Sequence, residues 1–129
     1  MYQDYLQYFH QLLASETIPL GDPRLYGKLP EAAGFYRILR RGSDWTQSLY
    51  VGWSDNLRQR VFRNHLMGGV RSSTLKGKLA RSSRFKDLKA VKDYLKKRCA
   101  VQFVVVRRKR GANFIEHFLI CALRPKHND

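Results

Sequence analysis

Two short apolar runs, each with a glycine and a tyrosine, constrain the fold of this chain more than any other feature. Gly34-Phe35-Tyr36 opens the run 34–40, and Tyr50-Val51-Gly52 lies within the run 48–53. Aromatic and β-branched residues favour strands, and residues 41–44 between the runs have the composition of a turn. The pattern therefore predicts an antiparallel hairpin with a long loop.

The tyrosines of this hairpin are expected to share one face of the sheet. Side chains alternate across a strand, so Tyr36 lies on the side of Ile38, and Tyr50 lies on the side of Gly52. Pairing of the strands can then bring both phenol rings to one side, near one strand end. Ordinary packing beneath a neighbouring helix is the alternative, because aromatic strand residues commonly pack in that way.

A helix is expected directly after the hairpin. Ser54 is a suitable N-cap and Asp55 an acid favoured by the helix dipole, so the helix is predicted to run from there to about Met67. At about 100° per residue, Leu57, Arg60 and Val61 share one face. Arg60 should therefore lie at the rim of the core, where a guanidinium is preorganised to bind a phosphate. Packing of its aliphatic stem alone is the alternative.

The remaining periodicity completes an α+β domain. Apolar and aromatic spacing in residues 2–14 predicts an amphipathic helix that covers the core, with a second subunit as the less favoured partner. Residues 18–33 are rich in proline and glycine and are interpreted as a connection. A surface helix is predicted over 86–97, a third strand over Ala100–Val106 and an apolar helix over Ala112–Leu123.

Charge is distributed unevenly along the chain, whose formal net charge is +15. Residues 1–33 have a net charge of −2, whereas residues 34–129 have a net charge of +17. So positive a field predicts a polyanionic partner, most commonly nucleic acid. No segment has the length of a membrane-spanning helix, and the N-terminus lacks the pattern of a secretion signal. Cys99 and Cys121 are interpreted as small buried hydrophobic residues, which fits an intracellular, cytoplasmic location.

Glu116 is unusual because it is the only acid between Asp93 and Asp129, in an otherwise apolar helix. A single carboxylate in that setting has three explanations: an edge position, an ion pair with an arginine, or a metal ligand. The sequence pattern by itself leaves all three open.

Together these segments resemble the GIY-YIG nuclease family. Gly34-Phe35-Tyr36 matches the first signature and Tyr50-Val51-Gly52 the second, with Phe35 and Val51 as mild apolar replacements. Arg60, eight residues after Gly52, matches the family's catalytic arginine. The C-terminal segment NFIEHFLICALRPKHN is similar to the family's glutamate segment, with Glu116 and Asn128 at the matching positions. Some members carry a histidine four residues after the arginine, where this chain has Asn64 followed by His65.

The resemblance implies a three-stranded antiparallel sheet flanked by helices over residues 34–129, with residues 1–33 packed against it. It also implies metal-dependent hydrolysis of phosphodiester bonds in DNA, with magnesium or, alternatively, manganese. In this interpretation Tyr36 is the general base and Tyr50 positions the water or a phosphate oxygen. Arg60 stabilises the transition state, Glu116 holds the metal, and Asn128 orients a phosphate or braces the site.

Basic residues outside this set are expected to contact the phosphate backbone without reading sequence. They are Arg58, Arg63, His65, Arg71, Lys76, Arg107 and Arg108. A homodimer or a separate partner would be a further source of specificity. Two alternatives remain at this stage: a non-cutting nucleic-acid-binding module of the same fold, and a basic RNA-associated protein with a coincidental match.

Overall fold

The computed structural model describes residues 2–40, 47–62, 75, 78, 79, 81, 85–106, 111–126 and 128, with residues 2–4 described by their backbone alone. Among these residues its helices include α1 (Tyr2–Ala14), α2 (Leu25–Lys28), α3 (described over 57–62), α4 (Leu88–Arg98) and α5 (Ala112–Leu123). Its strands are β1 (Ile18–Pro19), β2 (Gly34–Arg40), β3 (Ser48–Ser54) and β4 (Cys99–Val105). The turn predicted over 41–44 lies outside the described residues.

In the described part of the chain the sheet has four strands, in the order β1-β4-β2-β3, and every pair is antiparallel. The prediction of three strands was therefore wrong. The additional strand is β1, where Ile18 pairs with Val101 and Pro19 pairs with Ala100, inside the segment interpreted as a connection. Two residues are too few to show an alternating pattern, and a proline is tolerated there because β1 lies at the edge of the sheet.

Each face of the sheet is covered by its own layer of helices. Tyr36 and Ile38 of β2 lie in one buried cluster with Leu57 of α3 and Val91 of α4. Phe35 lies in a second buried cluster on the opposite face. This cluster also contains Val51 of β3, Leu12 of α1, and Ile115 and Leu119 of α5. This division follows from the alternation of side chains along β2. Leu12 of α1 is fully buried in this second cluster, so α1 packs against the sheet.

Most predicted elements have the expected position, and α5 and β2 have the expected bounds. Cys99 is buried as predicted, but Cys121 is exposed. The error arose because α5 is apolar on nearly every side, while only one side of it packs against the sheet and α1. Within the described residues, no helix has the length and apolarity needed to span a membrane.

A buried polar network joins α1 to the sheet. Arg37 of β2 is fully buried; its Nε donates to Gln102 Oε1 at 2.6 Å and its Nη1 donates to Ser48 Oγ at 2.9 Å. Gln102 Nε2 in turn donates to the carbonyl oxygens of Leu13, at 3.1 Å, and Ser15, at 2.9 Å. Because a buried polar group is costly unless it is hydrogen-bonded, the end of α1 is held in register with β2, β3 and β4.

Candidate active site

Tyr36 and Gly52 form the centre of the candidate site, because β2 and β3 pair them directly. A Cβ atom built on Gly52 would lie 2.8 Å from Tyr36 Oη, so the phenol lies against the glycine backbone. Tyr50 stands on the same face, and its ring centroid is 6.2 Å from that of Tyr36. The predicted placement of both rings on one side of the sheet is confirmed. Gly52 is required in the second signature because Tyr36 of the first signature occupies the space that a side chain at position 52 would fill.

Gly34 has a comparable packing role at the start of β2. A Cβ atom there would collide with the carbonyl oxygen of Val104 and lie 3.0 Å from Leu57 Cδ1. The missing side chain therefore allows β4 and α3 to approach β2 closely. This contact places α3 over the end of the sheet that carries both signatures.

The start of α3 differs from the prediction. Ser54 belongs to β3, and its Oγ accepts from the backbone N–H of Asn56 at 3.0 Å. Asn56 provides the cap instead, since its Oδ1 accepts from Gln59 N–H at 3.0 Å, and the helix begins at residue 57. The carbonyl of Ala32 accepts from Leu57 N–H at 2.9 Å. Backbone and side-chain acceptors thus satisfy the first N–H groups of α3.

Arg60 occupies the position on α3 that the helical spacing predicted. Leu57 and Val61 are fully buried against the sheet, while Arg60 is half-buried beside them. Arg60 lines a cleft of about 190 Å³ together with Ser54, Asp55, Asn56 and Gln59. Asn56 and Gln59 were not predicted to lie at the site, although the capping spacing from Asn56 to Gln59 is a signal that could have identified them.

Glu116 approaches the same region from α5, on the other side of the sheet. Its half-buried carboxyl group accepts a hydrogen bond from the backbone of Trp53 in β3. Burial raises the pKa of Glu116, and the Trp53 N–H, His117 and Arg60 act in the opposite direction. Glu116 is therefore an edge residue that also feels the charge of Arg60 across the end of the sheet.

Asn128 binds the outer edge of β3, the strand that carries the second signature. Its Oδ1 accepts from Val51 N–H and its Nδ2 donates to the Val51 carbonyl oxygen, both at 2.7 Å. Nearby, Lys126 N–H donates to the Ser48 carbonyl oxygen at 3.0 Å. With the Trp53 contact of Glu116, these bonds cover an edge that would otherwise expose unpaired backbone groups.

The pKa of Tyr36 is raised well above its ordinary value, chiefly because the phenol is buried. The neighbouring Tyr50 and Glu116 raise it further, whereas the charge of Arg60 lowers it. Tyr50, Arg60 and Glu116 are thus all close enough to Tyr36 to influence its ionisation. At neutral pH the Tyr36 phenol is protonated and able to donate a hydrogen bond.

Arg58 is held within the protein by several contacts. Its Nε donates to the Leu29 carbonyl oxygen at 2.8 Å, its Nη1 lies 3.4 Å from Glu31 Oε1, and its Cζ lies 4.6 Å from the centre of the Tyr26 ring. These contacts fasten residues 26–31 to α3. The other residues expected to contact nucleic acid all lie outside the described part of the chain: Arg63, His65, Arg71, Lys76, Arg107 and Arg108.

The described residues offer few side chains at the candidate site that could bind a metal ion. Among the described residues, no cluster of three or more histidine, cysteine, aspartate or glutamate side chains is arranged to bind a metal ion. A protein cage of several carboxylates is therefore absent from that part of the chain. Among the described residues, the carboxylate that influences the ionisation of Tyr36 is that of Glu116.

Comparison with known proteins gives structural matches alone. No protein-family model matches the chain, and no curated protein sequence matches it. The GIY-YIG N-terminal endonuclease domain of UvrC from Thermotoga maritima, bound to magnesium as its catalytic divalent cation, matches with a TM-score of 0.51 and 21% identity, over 82% of this chain and 93% of that chain. A point mutant of the same domain matches with a TM-score of 0.50 and 20% identity, over 82% of this chain and 92% of that chain.

Identity at this level establishes a common fold and no more. The fold-level part of the resemblance seen in the sequence is confirmed, with the correction that the sheet has four strands. This chain is similar in structure to the GIY-YIG endonuclease domain.

Proposed function

We propose that this chain is a metal-dependent endonuclease that hydrolyses phosphodiester bonds in DNA. The observation that carries the proposal is that Tyr50, Arg60 and Glu116 all lie close enough to Tyr36, at one end of the sheet, to influence its ionisation. Structural similarity to an endonuclease domain described with a catalytic divalent cation supports the same reaction class. The net charge of +15 favours a polyanionic substrate.

Arg60 is proposed to stabilise the charge that develops on the phosphate. Leu57 and Val61 anchor its helix in the core, so the guanidinium is held at the cleft before substrate arrives. A preorganised cation stabilises a transition state more effectively than one that must reorganise. A guanidinium also presents paired donors that match two phosphate oxygens.

Tyr36 is proposed as the general base and Tyr50 as the group that positions the water or a phosphate oxygen. The phenol of Tyr36 is oriented by its contact with Gly52 and the adjacent Tyr50 ring. Burial disfavours the phenolate, so a base role depends on positive charge beside the ring, which Arg60 supplies in part.

The residues present fit a magnesium or manganese ion held by Glu116. Burial raises the pKa of this carboxyl group, and a bound cation would favour its ionised form. Magnesium commonly binds through one or two carboxylates and keeps several waters, so a single glutamate suffices when substrate oxygens complete the shell. When bound, the ion would supply positive charge at the phosphate oxygens.

Asn128 is proposed as a brace for the site. Both polar atoms of its amide already bond to Val51, next to Tyr50 and Gly52 in the second signature. This engagement favours a bracing role over the orientation of a phosphate, the other role that the resemblance allows.

The proposal is tested by incubating linear, supercoiled and branched DNA with the protein in magnesium, manganese or EDTA. Glu116→Ala and Arg60→Ala should each lower turnover by roughly two to three orders of magnitude, as the loss of a preorganised charge commonly does. Arg124→Ala, which removes an exposed cation beyond α5, is the control for Arg60→Ala and should cleave normally.

Near-normal cleavage by Glu116→Ala or Arg60→Ala would contradict the assigned roles. Binding of DNA without cleavage under every metal condition would favour the non-cutting module. A parallel series with RNA identifies the preferred polymer, and salt-sensitive RNA binding without metal dependence would favour the RNA-associated alternative.

A further inference from the structure

Positive charge is unequally divided between the two helical layers. Residues 86–98, which comprise α4 and the two residues before it, contain six basic and two acidic side chains. On the opposite face of the sheet, α1 and α5 each contain one acid and no lysine or arginine. A polyanion approaching the described part of the molecule is therefore attracted to the side of α4.

The cations of α4 are available at the surface. Lys89, Lys96 and Lys97 are exposed, whereas Val91 and Leu95 are buried and fasten the helix to the sheet. Within the described residues, no carboxylate lies at ion-pair distance from these three lysines. Lys89 and Lys96 are seven residues apart, which places them on one side of the helix, about 10 Å from each other.

α4 belongs to the same layer as the candidate catalytic arginine. Val91 and Leu95 of α4 share one buried cluster with Leu57 and Val61 of α3, and with Tyr36. The outer surface of α4 and the cleft that holds Arg60 thus lie on the same side of the sheet. A polymer with regularly spaced phosphates can contact both, whereas a small anion cannot.

An open cleft extends this basic surface beyond the end of α4. Its volume is about 490 Å³, and it is lined by residues of the last turn of α4 and of the segment after β1: Pro19, Gly21, Asp22, Pro23, Arg24, Lys96 and Lys97. Arg24 contributes a third cation, whose Nε lies 3.5 Å from Asp22 Oδ1. The cleft continues the surface of α4 toward β1.

We propose that the outer face of α4 is the docking surface for the phosphate backbone of a nucleic-acid duplex, with Lys89 and Lys96 as its principal contacts. This inference rests on the proposed function, because it concerns where that substrate lies. Lys89 and Lys96 lie about 10 Å apart, which is far enough for them to bind different phosphates of the backbone. Cations in the last turn also offset the helix dipole, but this role does not involve Lys89, which lies in the first turn.

The test compares two variants that remove the same charge. Lys89→Gln/Lys96→Gln changes α4, and Arg124→Gln/Lys126→Gln changes exposed cations after α5. Binding of a 30-base-pair duplex, an arbitrary probe length of about three helical turns, is measured in EDTA over a series of salt concentrations. The α4 variant should bind on the order of tenfold more weakly at low salt, and its negative slope of log K against log salt should become shallower by roughly 1.8. The control variant should resemble the wild type.

A second measurement avoids substitution altogether. Acetylation of lysines in the intact protein, with and without bound duplex, should show protection of Lys89 and Lys96 and none of Lys126. Equal weakening in both variants would mean that only net charge matters and would overturn the docking surface. Unchanged binding in the α4 variant, while the wild type binds and cleaves, would overturn this inference and leave the proposed function intact.

Failure of the wild type to bind or cleave nucleic acid would remove the proposed function and this inference with it. Loss of binding to vesicles of anionic lipid in the α4 variant, with duplex binding unchanged, would instead assign the surface to a membrane.

Discussion

At the scale of single residues, Tyr36 of the first signature and Gly52 of the second form one structural unit. Gly52 leaves room for Tyr36, whose hydroxyl would be 2.8 Å from a Cβ atom at position 52. The register of β2 and β3 makes them direct partners, so neither residue can change without affecting the other. The site thus depends on close packing as much as on ionisable groups.

Gly52→Ala should therefore displace Tyr36 and lower cleavage by roughly tenfold or more, because small displacements at a reacting centre are costly. The new Cβ atom would contact the Tyr36 ring, which is buried in the core and cannot move away freely. A loss of about 1–3 kcal/mol in stability is therefore also expected. Activity assays and thermal unfolding report the two effects. Gly27→Ala is the matched control, since a Cβ atom there meets nothing within 4 Å. Equal behaviour of the two variants would contradict the packing argument.

The ionisation of Tyr36 gives a second prediction at this scale. Its pKa lies well above the ordinary value, chiefly because of burial, so the phenolate fraction increases with pH throughout the neutral and mildly alkaline range. If the phenolate is the base, kcat/KM should rise about tenfold per pH unit from about pH 7 to 9. Tyr36→Phe should lose this dependence along with activity. A flat profile in the wild type would contradict the base assignment for Tyr36.

At the scale of elements, α5 and the residues after it protect the exposed side of β3. Asn128 pairs with both backbone groups of Val51, and Glu116 is bonded to Trp53 two residues further along the strand. The same contacts that cover the edge also bring the candidate metal ligand to the strand of the second signature. The same interactions thus protect the edge of the sheet and position residues of the candidate site.

Asn128→Ala should loosen β3 locally, because both backbone groups of Val51 lose their partner. Stability should fall by about 1–3 kcal/mol, and the Val51 amide should exchange its hydrogen faster. Hydrogen exchange followed by NMR measures this directly. Asn113→Ala, an exposed asparagine on α5, is the control. Unaltered exchange at Val51 would remove the bracing role.

Predicted elements succeeded or failed for identifiable reasons. α5 was predicted with its observed bounds because Gly111 precedes it and Pro125 follows its end, flanking a largely apolar segment. α3 was predicted to begin near Ser54, but pairing with Gly34 keeps Ser54 in β3. Tertiary pairing thus overrode a sound local capping signal.

At the scale of the whole molecule, residues 1–33 are built into both cores. Leu12 lies in one buried cluster, and four further residues of this segment lie in the other: Ile18, Leu20, Leu25 and Leu29. Gln102 of β4 donates to two carbonyl groups at the end of α1, and it also accepts from the buried Arg37. The division at residue 33 remains a prediction, and these contacts bear on whether residues 34–129 can fold alone.

Residues 34–129 expressed by themselves should fail to fold cooperatively. Burial of an aliphatic side chain contributes about 1.5–3 kcal/mol, so removing five such residues costs on the order of 10 kcal/mol, comparable to the whole stability of a domain. Circular dichroism during heating should show no sharp transition. A peptide of residues 1–33 added in trans is the control and should restore one. A cooperative transition in the fragment alone would contradict this prediction.

The sequence by itself determined the main strands, the principal helices, the position of Arg60 beside an apolar pair, and the positive character of the chain. These features follow from side-chain periodicity and charge, which are local or additive properties. Tertiary structure alone decided the fourth strand, the burial of Arg37, the place of Ser54 in β3 and the pairing of Asn128 with Val51. Each of these depends on groups distant in sequence or on two-residue pairings, because a hydrogen-bond partner is chosen by the packed fold and leaves no periodic signal in the chain.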